Sequence, residues 1–191
     1  YYSGTESEVD ALVDNCRCVL PEAPICTLAG NPDMYSGGAP YYRAIATLNG
    51  PPFTQATSYF CLRNAHWQIQ AMDTGLNDRD PTRVGAGETH LDPAEVRWHN
   101  RRLAQAGARK VVLLSHHQPF SAFVRIGSDF VNHRLLDGVN GRGPDSDGND
   151  YLPRVAAWLW GHEHNTAIYR PFAGVRRGRC ARRLPPGHRS S

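Results

Sequence analysis

The chain has 191 residues, of which 40% are hydrophobic and 20% charged, and its formal net charge at pH 7 is +3. This composition is typical of one soluble globular domain with many loops, and it excludes extensive disorder. The sequence has no apolar run of about eighteen residues and no signal-peptide pattern, which excludes a membrane span and predicts a cytoplasmic protein.

The first part of the chain predicts a helix, a strand and a second helix. Residues 6–20 carry apolar side chains at the spacing of a short amphipathic helix. Residues 25–29 form a short, mostly apolar run between a proline and a glycine, which predicts a buried strand. Residues 41–48 are predicted to be helical, since the Asn-Gly-Pro-Pro sequence that follows them ends a helix.

The middle of the chain predicts a hairpin followed by a capped helix. Residues 58–62 and 67–72 are two strand-like runs separated by four mostly polar residues. Asp92 is placed as the N-cap of a helix that runs to about residue 106, with a proline at its first position. Glu95 is placed three residues later, where it would close a capping box.

The last predicted elements are two strands that each lead into histidines. Residues 110–114 are a nearly continuous apolar run of strand length. A short helix at residues 151–155 leads into the second apolar run at residues 156–160. Strands that alternate with helices predict an α/β fold, to which the hairpin adds an antiparallel element.

The cysteines predict neither a disulfide framework nor a zinc ribbon. Their number is odd, and they lack the paired spacing of a zinc-ribbon site. We therefore expect them to be mostly reduced, buried residues: Cys16, Cys18, Cys26, Cys61 and Cys180.

Residues 158–165, Trp-Leu-Trp-Gly-His-Glu-His-Asn, are an apolar run that ends at a glycine and then presents two histidines. On a regular strand His162 and His164 would share a face, but past Gly161 the backbone is free to direct them toward two neighbouring ions. Imidazole is a common ligand of zinc, copper, iron and nickel. Taken alone, the motif is equally compatible with a surface loop that carries two solvated histidines.

Potential ligands follow three of the predicted strands. Asn31 comes after the first, His116 after the second, and His162 and His164 after the third. Ligands of α/β folds collect in the loops beyond the carboxyl ends of strands. We therefore predict that Asn31, His116 and His162 converge on one metal ion.

These blocks, Gly-Asn-Pro-Asp at residues 30–33, the isolated His116 and Gly-His-x-His at residues 161–164, resemble the last three motifs of the calcineurin-like metallophosphoesterases. The resemblance implies part of an α/β/β/α sandwich, the metallo-dependent phosphatase fold. It also implies hydrolysis of a small-molecule phosphoester at two divalent ions, with manganese, iron and zinc not distinguished. In such enzymes the paired ions bind phosphate oxygens and activate a bridging water.

The same resemblance assigns roles to individual residues. It implies that Asn31, His116 and His162 bind one ion and that His164 binds the other. It also implies that Asp33 supports the metal ligands without binding an ion itself. His117 has no counterpart in the motif, so we expect a packed or hydrogen-bonded histidine there rather than one that lines the substrate pocket. No chemistry is predicted for the remaining histidines: His66, His90, His99, His133 and His188.

The chain departs from the family pattern in two places. Pro32 stands where the family has a histidine, and it has no proton to donate to the leaving group. General acid catalysis contributes typically about 10²–10⁴-fold, so this exchange predicts a severe loss of activity. In addition, no Asp-x-His or Gly-Asp motif precedes the visible ones. Residues 1–5 resemble the segment that follows Gly-Asp, and the first residue is not a methionine, which predicts a fragment or a frame-altered product.

Two functions are therefore predicted, and both stay open at this point. The first is a metal-dependent phosphoester hydrolase whose activity is impaired or lost in this chain. The second is a degenerate, non-catalytic homologue that binds at most one metal ion or serves as an interaction module. The sequence does not distinguish oligomeric states.

The domain prediction divides the chain at residue 176. Residues 1–175 are expected to form the partial phosphoesterase domain, and residues 176–191 a basic, disordered tail unlike a core strand. Five arginines lie between residues 176 and 183. This basic segment leaves a nucleic-acid contact open as a third hypothesis, whose signature would be salt-dependent binding.

Overall fold

A computed structural model describes residues 2–83 and 88–181. The helices in this part of the chain are α1 (Glu6–Val19), α2 (Asn31–Met34), α3 (Ala39–Thr47), α4 (Pro93–Ala104) and α5 (His133–Asn140). The strands are β1 (Phe60–Arg63), β2 (Trp67–Met72), β3 (Lys110–Ser115), β4 (Val155–Trp160), β5 (Ala167–Ile168) and β6 (Gly178–Cys180). Short 3₁₀ turns occupy Pro81–Arg83 and Leu152–Arg154. No helix in the described ranges is both long and apolar enough to cross a lipid bilayer.

The described strands form one mixed sheet in the order β1-β2-β3-β4-β6-β5. The four inner strands are parallel, whereas β1 and β5 pair antiparallel at the two edges. The predicted α/β class is thus confirmed, and so is the antiparallel hairpin of β1 and β2. The sandwich architecture of the calcineurin-like family stays a prediction.

One face of the sheet carries the main hydrophobic core. Side chains alternate between the two faces of a strand, and Val111 and Leu113 of β3 are 0% and 1% exposed. Trp158 of β4 is also fully buried and belongs to the same cluster as residues of α4 and α5. Burying one such side chain contributes about 1.5–3 kcal/mol. The helices after β2 and β3 are therefore held on this one face.

The strand predicted at residues 25–29 is wrong: this described segment pairs with no other strand. Its backbone is bound by two side-chain amides instead. The Asn49 amide accepts from the Ile25 N–H (2.8 Å) and donates to the Ile25 carbonyl (2.6 Å), and Gln55 binds both groups of Thr27 at 3.0 and 2.8 Å. An apolar run indicates burial, which Ala29 confirms at 0% exposure, but it does not specify what pairs with the backbone.

The boundary predicted at residue 176 is wrong as well, because Gly178–Cys180 form a strand of the sheet. β6 pairs parallel to β4, and Gly178 and Cys180 face inward while Arg179 lies between them. A β-carbon at Gly178 would lie 2.6 Å from the Trp160 ring, so only glycine fits against that ring. The basic composition of this segment suggested a tail, although burial alternates along its short strand. Residues 182–191, with the rest of the predicted tail and His188, lie outside the described residues.

A buried polar network links α4 to the end of β2. Asp92 caps α4 as predicted, accepting from the Ala94 N–H at 3.0 Å. Glu95 does not close a capping box; it points inward and accepts from the Asp73 N–H (2.9 Å) and from His99 Nε2 (3.0 Å). The Gln70 amide donates to His99 Nδ1 at 2.7 Å, so His99 holds its single proton on Nε2. Burial lowers the pKa of His99 to about 3 and raises that of Glu95.

The Asn49 amide gives a first prediction. Asn49→Ala removes both bonds to Ile25 and leaves a backbone donor and acceptor without partners, so we expect the free energy of unfolding to fall by about 1–3 kcal/mol. Urea denaturation followed by circular dichroism measures the loss. Asn165→Ala, at an exposed position, is the matched control and should change the value by less than about 0.5 kcal/mol. Equal losses in the two variants would contradict the structural role of Asn49.

His99 gives a second prediction, concerning pH. The folded pKa of about 3 lies below the ordinary value of 6.5, so unfolding takes up a proton between these values. His99 therefore lowers stability as pH falls below 6.5, by at most about 1.4 kcal/mol per pH unit. Urea denaturation of the wild type and of His99→Gln at pH 7, 6 and 5 should show a shallower pH dependence in the variant. His66→Gln, in an exposed turn, is the control and should keep the wild-type dependence of stability on pH. If His99→Gln also left this dependence unchanged, the low pKa of His99 would be refuted.

Candidate metal centre

The candidate site lies at the carboxyl edge of the parallel strands β3 and β4. His116 directly follows β3, and Gly161 and His162 directly follow β4. The Gly161 N–H donates to the His116 carbonyl at 3.0 Å, which extends the pairing of the two strands by one step. The pairing therefore sets the two histidines side by side, with ring centroids 5.2 Å apart.

Asn31 joins these histidines from the loop in front of α2. Its Oδ1 lies 2.8 Å from His116 Nε2, and His162 Nδ1 lies 3.2 Å from the same nitrogen. The Asn31 Nδ2 donates to the Tyr35 hydroxyl at 2.5 Å, which fixes the amide with its oxygen toward the imidazoles. The structure thus brings together the three side chains that were predicted to converge, and their role as ligands stays a prediction.

Close backbone packing holds this arrangement. A β-carbon at Gly30 would lie 2.7 Å from His116 ring atoms, and one at Gly75 would lie 2.5 Å from the Gly30 carbonyl oxygen. Only glycine allows the Asn31 loop to approach the imidazole this closely. Asp33 is 5% exposed, and its Oδ2 accepts from the Gly30 N–H at 2.7 Å. Asp33 therefore supports the loop that carries Asn31.

His117 contributes a third imidazole, which sequence reasoning did not assign to the site. It is 3% exposed, and its ring centroid lies 4.3 Å from that of His162. One ring nitrogen from each of His116, His117 and His162 lies within 4.8 Å of the others, so this group could hold a metal ion. The one signal in the sequence was its position next to His116.

Both ring nitrogens of His117 already have partners. Thr74 Oγ1 accepts from the His117 backbone N–H and also lies 3.0 Å from Nδ1. Nε2 donates to Asp78 Oδ2 at 3.0 Å. The expected hydrogen-bonded histidine is thus observed, and a metal ion would have to compete with one of these bonds for His117. Sequence reasoning assigned neither Thr74 nor Asp78.

His164 is exposed, whereas His162 is half-buried and faces His116. The divergence of the two histidines toward separate ions stays a prediction. The left-handed backbone of this loop occurs at His162 (φ 64°) and His164 (φ 54°) and not at Gly161. For residues other than glycine this conformation costs roughly 1–2 kcal/mol each, so the packing around the loop must stabilise it.

Burial keeps the two central imidazoles neutral. It lowers the pKa of His162 to about 3, with the charge of His117 as a further cause. Burial also holds the pKa of His116 well below 6.5, with contributions from His117, His162 and His164. A neutral imidazole has a free lone pair, which is the form that binds a metal ion. In this geometry His116 Nε2 carries the proton, because the Asn31 Oδ1 beside it can only accept a hydrogen bond. A metal ion would therefore bind this nitrogen after the proton has moved to Nδ1, with no change in the charge of the imidazole.

Sequence comparisons do not assign the chain. No model of a known protein family matches it, and a search of curated proteins finds no similar protein. The resemblance to the calcineurin-like metallophosphoesterases therefore stays a prediction based on three short motifs.

The low pKa values predict metal binding that depends little on pH. An ordinary histidine with a pKa of about 6.5 would be roughly three-quarters protonated at pH 6.0, which would weaken metal binding about fourfold per ligand relative to pH 7.5. We expect the Kd for Co²⁺, measured by isothermal titration calorimetry, to change less than about twofold between these pH values. A loss of tenfold or more would contradict the burial of His116 and His162.

Proposed function

We propose that the chain is a metal-binding domain of the calcineurin-like metallophosphoesterase type. In this proposal Asn31, His116 and His162 bind one divalent cation, and hydrolysis of phosphoesters is feeble or absent. The observation that carries the proposal is that two potential ligand atoms lie close to His116 Nε2, namely Asn31 Oδ1 at 2.8 Å and His162 Nδ1 at 3.2 Å.

These distances fit one ion. Nitrogen and oxygen ligands lie about 2.1 Å from zinc, so neighbouring ligands of one tetrahedral or octahedral ion lie about 3.0–3.4 Å apart. Both observed separations are close to this range, and the ion would replace the proton that His116 Nε2 now donates to Asn31 Oδ1. The three ligands are two neutral imidazoles and an amide oxygen. Because imidazole nitrogen is a preferred ligand of zinc and transition metals, and oxygen of calcium and magnesium, the two nitrogens favour zinc or a transition metal.

The chemistry of such an ion accounts for the proposed family activity. Bound at these residues, a divalent ion would act as a Lewis acid toward an oxygen of a small-molecule phosphoester. Asp33 holds the backbone of the loop that carries Asn31, and His117 with Asp78 lines the adjoining side of the site.

Two features argue against efficient turnover. Pro32 occupies the position at which the family has its proton donor, and a proline ring has no proton to give. His164 is the one candidate ligand for a second ion. It does not belong to the group of His116, His117 and His162, which in the described part of the chain is the single cluster of His, Cys, Asp or Glu side chains that could hold a metal. A two-ion mechanism therefore lacks its second set of ligands among these residues.

The alternative is a competent hydrolase that uses other residues of the site. His117, with Asp78 behind it, favours this alternative because an imidazole paired with a carboxylate is a common acid or base in catalysis. A nucleic-acid contact through the basic segment and a cytoplasmic location stay predictions.

Metal titration tests the proposal. Wild-type protein should bind one equivalent of Co²⁺ or Zn²⁺, and His162→Ala or Asn31→Ala should weaken binding at least about tenfold, since each removes one ligand. His117→Ala should weaken it less, because that imidazole is already bonded to Thr74 and Asp78. His133→Ala, at an exposed histidine paired with Asp129, is the matched control and should have no effect. Unchanged binding in His162→Ala and Asn31→Ala would refute the proposed site.

Hydrolysis is measured separately on the same proteins. With Mn²⁺ or Zn²⁺ in excess, 4-nitrophenyl phosphate should be cleaved close to the rate without protein. If turnover is robust and His162→Ala abolishes it, the proposed metal site is retained and the alternative, a competent hydrolase, is established.

A further inference from the structure

A small cavity lies beside the candidate metal centre, among the segments that follow β2, β3 and β4. Its volume is about 10 Å³. One buried water needs roughly 10–15 Å³ of such space and about two to four polar partners. The cavity is therefore of a size that fits one water molecule and is too small for a substrate. Apart from Ile126, its lining side chains are polar: Asp78, Thr89, His117, Gln118, Asn132 and His162.

Some of these polar side chains already form hydrogen bonds within the protein. The Thr89 hydroxyl donates to the Thr74 carbonyl at 2.7 Å. The Asn132 side chain donates to the Thr89 carbonyl at 3.1 Å and accepts from the Leu135 N–H at 3.0 Å. Both ring nitrogens of His117 have partners as well. Polar groups without a partner in the described ranges therefore remain on three residues that line the cavity: Asp78, Gln118 and His162.

Gln118 presents an acceptor that has no donor. The residue is 6% exposed, its Oε1 is buried, and within residues 2–83 and 88–181 no group donates to that oxygen. A buried acceptor without a hydrogen bond costs about 1–3 kcal/mol. Most buried polar groups are bonded, either to protein or to ordered water. The cavity that Gln118 lines is the space in which such a donor would lie.

His162 presents a donor that has no acceptor. Its Nδ1 lies 3.2 Å from His116 Nε2, which carries the proton that the Asn31 oxygen accepts. Two N–H groups cannot face each other at this distance, so the single proton of the neutral His162 ring is on Nε2. Among the residues that the structure describes, none accepts a hydrogen bond from that nitrogen. The ring therefore needs an acceptor at Nε2.

We infer that the cavity holds one water molecule, which accepts from His162 Nε2 and donates to Gln118 Oε1. Its second hydrogen has an acceptor in Asp78, whose Oδ2 takes the His117 proton and whose Oδ1 bonds to no described residue. A bridging water is nearly as favourable in enthalpy as a direct hydrogen bond. Gln118 is thus a positioning residue of the metal centre, a role that rests on the proposed function.

The water decides which nitrogen of His162 keeps its lone pair. A ligating imidazole usually donates its other N–H to a carboxylate, a carbonyl or a water, which fixes the tautomer and the orientation of the ring. Once the His116 proton has moved to Nδ1, as metal binding requires, it no longer keeps a proton from His162 Nδ1. The hydrogen bond at His162 Nε2 then holds the proton away from the ligating nitrogen.

A crystal structure of the metal-free protein tests the water directly. A water should lie within about 3.2 Å of both Gln118 Oε1 and His162 Nε2. The Gln118→Met variant, which removes the acceptor with little change in size, should lack this water. An empty cavity in the wild type, or other partners for these two atoms, would overturn the inference.

Metal affinity tests the positioning role. In isothermal titration calorimetry, Gln118→Met should weaken Co²⁺ binding about tenfold, because the tautomer of His162 loses its support. Gln118→Glu keeps an acceptor for the water, so its Kd should be at most about twofold above the wild-type value. Gln105→Met, at an exposed glutamine after α4, is the matched control and should leave the Kd unchanged. If Gln118→Met did not alter the Kd, or if Gln118→Glu weakened binding as much, the inference would be overturned.

A measurement without metal separates this inference from the proposed function. Long-range ¹H–¹⁵N NMR of the metal-free wild type should show His162 protonated on Nε2, and a proton on Nδ1 would overturn the inference. This spectrum and the wild-type crystal structure keep the test decisive if Gln118→Met does not fold, as judged by circular dichroism. A wild type that binds no Co²⁺ would refute the proposed function and with it the positioning role, whereas the crystal structure would still decide the water.

Discussion

The parallel pairing of β3 with β4 is the interaction on which the rest of this structure depends. It joins two inner strands of the sheet, and its last hydrogen bond, from the Gly161 N–H to the His116 carbonyl, lies beyond the strands themselves. That bond sets the distance between His116 and His162. Because side chains of paired strands alternate between faces, the same ladder also decides which apolar residues enter the core and which, such as Leu159, lie on the opposite face of the sheet.

The chemistry of the metal centre follows from how tightly its backbone is packed. Gly30 lies against the His116 ring so closely that a β-carbon would not fit, and this contact removes water from the imidazole. Burial then lowers the pKa of His116 and of His162, so both imidazoles are uncharged at neutral pH. The close approach of Gly30 to the His116 ring therefore both stabilises the loop and favours a bound cation. Asp33 stabilises this approach by accepting a hydrogen bond from the Gly30 N–H.

Local sequence patterns predicted the elements whose partners lie close in the chain. The helix capped by Asp92 and the hairpin of β1 and β2 depend on short-range signals, and both were predicted from them. The segment at residues 25–29 was assigned wrongly because its backbone binds side chains 24 to 28 residues away. The strand Gly178–Cys180 was missed because its pairing with β4 has no local signal and its arginines suggested a tail.

By itself the sequence determined that histidines follow the buried strands and that a glycine precedes Asn31, since both are properties of adjacent residues. It therefore predicted which side chains meet. Only the tertiary structure decided that His117 faces His162 and that Thr74 and Asp78 occupy its nitrogens, because these contacts join residues about 40 positions apart. The tertiary structure also decided that the histidines, and not Gly161, take up the left-handed backbone, since that strain is tolerated only where surrounding packing stabilises it.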